Sequence, residues 1–232
     1  MIFAPSSNFE IPNDFALSVR GKTLTRVNHT KFLGVLIDNK LDWSVHINDL
    51  CTSLRKFVGI FYKISFFIPE KILKILYFSM IHPKLLYAIE LYANAYQISL
   101  HDLIILNNRI LRICQKKDRR AITVDLYSSF NTLPIDKLFK FRILMLAHSI
   151  IYKPSSLPHI FCRNSIPNSQ IHEHLTRSNH DFHRISYKNQ WGRKTTENLC
   201  ASYWNALPVE MKNIGSDNIF CKALKRFLLQ EQ

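Results

Sequence analysis

From Val45 onward the apolar positions Ile47, Leu50, Leu54, Phe57, Phe61 and Ile64 recur at intervals of three and four, with Asp49, Arg55, Lys56 and Lys63 between them. Side chains at that spacing share one face of an α-helix, so a long amphipathic helix is predicted. Pro69 suits the first turn of a second helix, with Glu70 near its positive end and Ile72, Leu73, Leu76 and Met80 as its buried stripe, up to a break at Pro83. Ser99 and Asp102 open a third, continued by Leu103, Leu106, Ile110 and Ile113. The short links between these helices predict antiparallel packing, a bundle over residues 45 to 116. Further helices are expected over Ile135 to Tyr152, over Thr196 to Ala206, and beyond a capping Ser216. In the last, Ile219, Phe220, Leu224, Phe227 and Leu228 line one side and Lys222, Lys225 and Arg226 much of the other.

Upstream the period is strand-like. Ala16 to Val19 and Leu24 to Val27 flank Gly21-Lys22, whose glycine can supply the positive φ of a hairpin turn. Phe32 to Ile37 is too short and β-branched for a helix and reads as a third strand, with Gly34 marking close backbone packing. A sheet this small needs its apolar face covered, so exposed strand edges are expected. Between Lys153 and Lys194, Pro154, Pro158 and Pro167 stand among many Ser, Asn and His residues, a loop-rich texture. The fold expected is mainly α with a small β remnant (α+β). Its segments are 1–40, the β part; 41–152, the helical bundle; and 153–232, basic, loop-rich and ending in an amphipathic helix.

The junction of strand and helix carries Lys31-Phe32-Leu33-Gly34-Val35, Ile37-Asp38, Leu41, Trp43 and His46-Ile47. This set resembles the segment where the palm of a non-LTR retrotransposon reverse transcriptase passes into its thumb, as in jockey-like elements. Leu76-Tyr77, Ser79, Ile81, Pro83, Leu86-Tyr87, the Arg109 to Arg112 stretch and Leu133-Pro134 follow in that family's order and rough spacing. So do Thr176-Arg177, Trp204-Asn205, Leu207-Pro208, Phe220, Lys222 and Leu224-Lys225, so the resemblance covers nearly the whole chain. Tyr92-Ala93 stands where the family prefers Trp-Gly. The resemblance implies a helical thumb that grips a template-primer duplex, hence RNA, DNA or an RNA–DNA duplex as partner. It also implies a hairpin, Lys31 to Asp38, that holds the primer end. The family's metal-binding carboxylates lie upstream in an aromatic-x-Asp-Asp motif, and this chain contains no such adjacent acidic pair. Mg²⁺ would therefore belong to a missing palm; no cofactor is expected in this chain, and on its own it is expected to be no enzyme. Met1-Ile2-Phe3 resembles the middle of the palm, as in a truncated reading frame.

Charge sharpens the choice of partner. Lys and Arg total 31 against 17 Asp and Glu, a net +14 that favours polyanions. Arg109, Arg112, Lys116, Lys117, Arg119 and Arg120 cluster at one predicted helix end, either a phosphate-binding patch or a solvated terminus facing its own dipole. Arg55, Lys56, Lys63, Lys71 and Lys74 form a second candidate face. In the hairpin, Lys31 and the backbone near Gly34 are candidates for contact, whereas Phe32, Leu33, Val35 and Ile37 read as palm–thumb core. Trp191, among Arg184, Lys188, Arg193 and Lys194, suits stacking on unpaired bases, while Trp204 reads as a packing anchor.

Other chemistry is weakly supported. His159, Cys162, His172, His174, His180 and His183 lack the two close pairs of a zinc site and read as loop histidines; no metal site is expected. No nucleophile arrangement or Gly-rich phosphate loop can be read from spacing, so no small-molecule substrate is expected. Five scattered cysteines, never Cys-x-x-Cys, fit reduced thiols in an intracellular protein, nuclear or cytoplasmic and not secreted. Apolar stretches are interrupted by Lys63, Lys71, Lys74 or His82 before the ~18 residues a span requires, so no membrane partner is expected. Two other readings stay open: a helical protein-interaction or assembly module, and a decayed transposon product with no selected activity.

Overall fold

The computed structural model describes residues 1–3, 15–164, 168, 181–187 and 190–231. The chain is mainly helical with two small antiparallel hairpins, and its contacts divide it into two compact units, Met1–Leu126 and Tyr127–Gln232.

In the first unit, β1 (Ser18–Val19) and β2 (Lys22–Thr23) flank a two-residue turn in which Arg20 and Gly21 both take positive φ, 52° and 75°. The second hairpin pairs β3 (His29–Phe32) with β4 (Val35–Asp38). Phe32 to Ile37 is therefore two strand ends and a turn, not one strand. Leu33 and Gly34 take φ values of 46° and 82°, the mirror-image turn whose twist matches that of paired strands. This also corrects the expected core. Val35 is buried, but Phe32 and Leu33 at the tip are 62% and 75% exposed.

Asp38 closes this hairpin onto the helical body. Its buried carboxylate accepts the backbone N–H groups of Lys40 (3.0 Å) and Asp42 (3.1 Å) on Oδ1 and of Trp43 (2.8 Å) on Oδ2. A single acceptor thus stabilises a loop in which Leu41 and Trp43 both have positive φ. From there α1 (Ser44–Ser65) packs against α5 (Gln97–Cys114). Ile47, Leu50, Leu54 and Phe61 of the predicted stripe are buried, joined by Cys51 and Val58.

Between them run α2 (Glu70–Leu76), a π-helical turn over Tyr77–Ile81, α3 (His82–Leu86) and α4 (Ile89–Tyr92). The wide turn ends with the His82 N–H on the Tyr77 carbonyl, directly before Pro83, which has no N–H to continue an α ladder. The buried stripe runs through Leu73, Tyr77 and Ile81 in four-residue steps, so Ile72 and Met80 beside it are exposed, contrary to expectation. The buried Tyr77 hydroxyl donates to Asn107 Oδ1 on α5 at 3.0 Å, and Tyr92 donates to the Leu85 carbonyl at 2.5 Å. α5 begins at Gln97, two residues before the expected Ser99.

The second unit is organised by α7 (Ile135–Tyr152), which packs against α10 (Thr196–Asn205) and α12 (Asp217–Gln230). Chain order groups α7 with residues 41–152, but its apolar face is met by these later helices. Trp204 is fully buried, with Phe220, Phe182 and His148 at centroid distances of 5.8, 6.2 and 6.3 Å. The Asn205 amide exchanges two 2.9 Å hydrogen bonds with the backbone of Phe182 and so fixes that ring. Ser216 stands at the N-cap of α12, as expected, although its side chain makes no capping bond. Among the described residues no helix is long and apolar enough to cross a membrane.

Candidate nucleic-acid interface

Ile105, Arg109, Arg112 and Ile113 of α5 stand at relative positions 0, +4, +7 and +8, which a helical period places on one face. The chain then reverses. Lys116 takes φ 51°, the left-handed position usually given to glycine, and the Lys117 N–H reaches the Arg112 carbonyl at 3.0 Å. Asp118 Oδ1 accepts the Arg120 N–H at 2.8 Å, and Arg112 Nη2 donates to the Ala121 carbonyl at 3.2 Å, so the returning turn is tied to the helix it left.

The result is an open cleft of about 360 Å³ lined by Tyr62 of α1 and by Ile105, Arg109, Arg112, Ile113, Lys117 and Arg119. Four cations of the predicted cluster meet there, and among the described residues no carboxylate lines it. The side chains of Arg109, Lys117 and Arg119 have no hydrogen-bond or ion-pair partner among the described residues. Arg112 is anchored through Nη2, yet its Nε–H is buried without an acceptor among those residues. Leaving that donor unpaired costs stability.

The other candidates are placed elsewhere. Lys116 and Arg120 are exposed on the turn but do not line the cleft. Arg55 pairs with Asp102 of α5 at 3.7 Å, both largely exposed, a pairing worth little in water. Lys56 and Lys63 on α1 and Lys71 on α2 are exposed, and Lys74 is half-buried; none lines the cleft. Lys31 is exposed on β3 beside the hairpin tip, where Tyr87 donates its hydroxyl to the Leu33 carbonyl and lays its ring near Gly34. The side chain of Trp191, in α9 (Gln190–Arg193), lies outside the described residues. So do His172, His174, His180 and the side chain of Cys162.

Tyr62, Ile105 and Ile113 are lining residues that the charge pattern alone does not single out. Tyr62 falls off the buried stripe, 57% exposed, with Phe66 braced against it at 5.3 Å and nearly perpendicular. An aromatic on the polar face of an amphipathic helix is the signal that could have found it.

Among the described residues no group of three or more His, Cys, Asp or Glu is placed to hold a metal ion. None of the thiols at Cys51, Cys114 and Cys200 is activated: burial pushes Cys114 and Cys200 up to about 12 and raises Cys51 as well. Burial also lowers the pKa of His46, partly offset by Asp49, in keeping with a neutral ring whose Nδ1 faces the Leu36 N–H at 3.5 Å.

Compared with protein-family models, with curated proteins and with solved structures, the chain matches none.

Proposed function

We propose that this chain is the carboxyl-terminal part of a non-LTR retrotransposon reverse transcriptase, and that its first unit binds an RNA–DNA duplex without sequence preference. The observation that carries the reading is the convergence of Arg109, Arg112, Lys117 and Arg119 on one cleft with no carboxylate among its described lining residues. Cations so placed exchange the counterions of a phosphate backbone for themselves, which gives binding that weakens steeply with salt. The resemblance in Lys31 to Ile47 supplies the identity of the duplex, and the exposed hairpin tip beside Tyr87 offers a second contact. The reading assigns no catalysis to this chain: with Mg²⁺ and deoxynucleotides, the pure protein extends no primer.

A second reading has its own support. Leu33, Phe66, Phe67 and Ile98 are exposed, Phe67 at 88%, large apolar side chains that another protein could cover. Titration of an RNA–DNA duplex across a salt series separates the two. The nucleic-acid reading predicts a linear fall of log affinity with log salt; salt-insensitive self-association, without duplex binding, favours the interaction module.

A further inference from the structure

We infer that the cleft beside Tyr62 holds an unpaired base of a single-stranded extension, next to the duplex that the basic face binds. The inference rests on the nucleic-acid reading above and names what the cleft itself takes.

A duplex presents phosphates to a protein surface, and its bases are stacked on one another. Phosphates satisfy Arg109, Lys117 and Arg119, but they leave Tyr62, Ile105 and Ile113 with nothing apolar to cover them. The cleft, at about 360 Å³, has the size of those that enclose small ligands, roughly 300–1,000 Å³. An unpaired base offers what this lining lacks: a flat π-face for the half-exposed Tyr62 ring and carbonyl or ring-nitrogen acceptors at its edge. The Phe66 ring meets Tyr62 edge-on at 5.3 Å. An acidic amphipathic peptide would meet the same cations. The aromatic ring beside several guanidinium groups favours the nucleic acid, because both ring and guanidinium planes stack on bases.

Fluorescence anisotropy with labelled RNA–DNA duplexes tests this directly. One duplex is blunt, one carries a short unpaired extension, and one carries the same extension with its bases removed and its phosphates kept. The extension with bases should bind tighter than the other two by roughly five- to a hundredfold, the span of base–aromatic stacking. Tyr62→Ala should remove that gain, the difference between the extended and the blunt duplex, and Tyr62→Trp should keep it. Equal binding of the abasic and intact extensions, or a gain that survives Tyr62→Ala, overturns the inference while leaving duplex binding in place. Failure of all three duplexes to bind sinks both readings. A Tyr62-dependent complex with an acidic amphipathic peptide, with no gain from the extension, assigns the cleft to a protein and overturns the inference.

Discussion

Four lysines of the second unit and the cations around the α5 terminus in the first are handled in opposite ways. Lys137, Lys140, Lys153 and Lys212 are bound to the second unit's own acceptors. Lys137 donates to the carbonyls of Leu228, at 2.9 Å, and Glu231, at the carboxyl end of α12, where helix carbonyls lack partners. Lys140 pairs with the Glu231 carboxylate at 2.7 Å, and Lys153 with Asp217. Lys212 is buried between Asp181 Oδ1 at 2.7 Å and the Asn205 carbonyl at 2.9 Å. In the first unit, Arg109, Lys117 and Arg119 face a cleft with no carboxylate among its described lining residues. A net +14 therefore says less about partners than where the unmatched part of it stands. Those four lysines hold the fold of the second unit; the charge around the α5 terminus is open to a ligand.

The largest effect expected from separating the units is on stability. Trp204→Ala empties the aromatic core of the second unit and should cost about 3–5 kcal/mol in denaturant unfolding, as large-to-small changes of buried aromatics do. Duplex binding should survive under conditions where the first unit stays folded, read by amide-exchange protection in α1 and α5. Disappearance of binding together with the second unit would show that the first unit does not bind by itself.

Asp38→Ala acts on the first unit alone. Three backbone N–H groups are deprived of their acceptor, and about 1–3 kcal/mol of stability should go with it. Amide exchange should quicken first at Lys40, Asp42 and Trp43. Asp38→Asn, which keeps an acceptor oxygen, should recover part of the deficit.

Acid should part the units by smaller steps. The folded-state pKa of His46 lies below its ordinary 6.5 because burial disfavours the imidazolium. The unfolded chain then takes up the proton first as pH falls. The stability this neutral ring contributes is complete above about pH 6.5 and is lost as pH drops through the folded value. Asp217, chiefly through its hydrogen bond from Lys153, is held below its ordinary 3.8, so its contribution to the second unit persists until more acid conditions. Unfolding followed separately in the two units across pH should show the first weakening at milder acid; His46→Gln should flatten that limb.

Much of this architecture is legible in residue order. The bounds of α7 follow from Pro134 before it and from its unbroken apolar period, and the α1 stripe from its three-and-four spacing. What escapes depends on backbone conformations the residue types do not announce. Leu33 and Lys116 both take positive φ without being glycine, so a hairpin reads as a strand and a reversing turn reads as a helix end. Ile72 and Met80 are exposed because the buried stripe runs through Leu73, Tyr77 and Ile81, and in a stretch this apolar the four-residue spacing does not decide between neighbouring stripes. The basic cluster is visible as a run of cations. Its cleft is not, because Tyr62 comes from a helix far away in the chain and only packing of α1 on α5 brings it there.

Paired salt series on one RNA–DNA duplex show most directly whether the open cations of the first unit carry binding and the engaged lysines of the second do not. Replacing Arg109, Lys117 and Arg119 together by Gln should reduce the slope of log affinity against log salt by about 0.9 for each phosphate that these side chains neutralise. Replacing Lys137, Lys140 and Lys153 together by Gln should leave that slope unchanged while lowering stability. An equal reduction of slope in both variants would contradict the account.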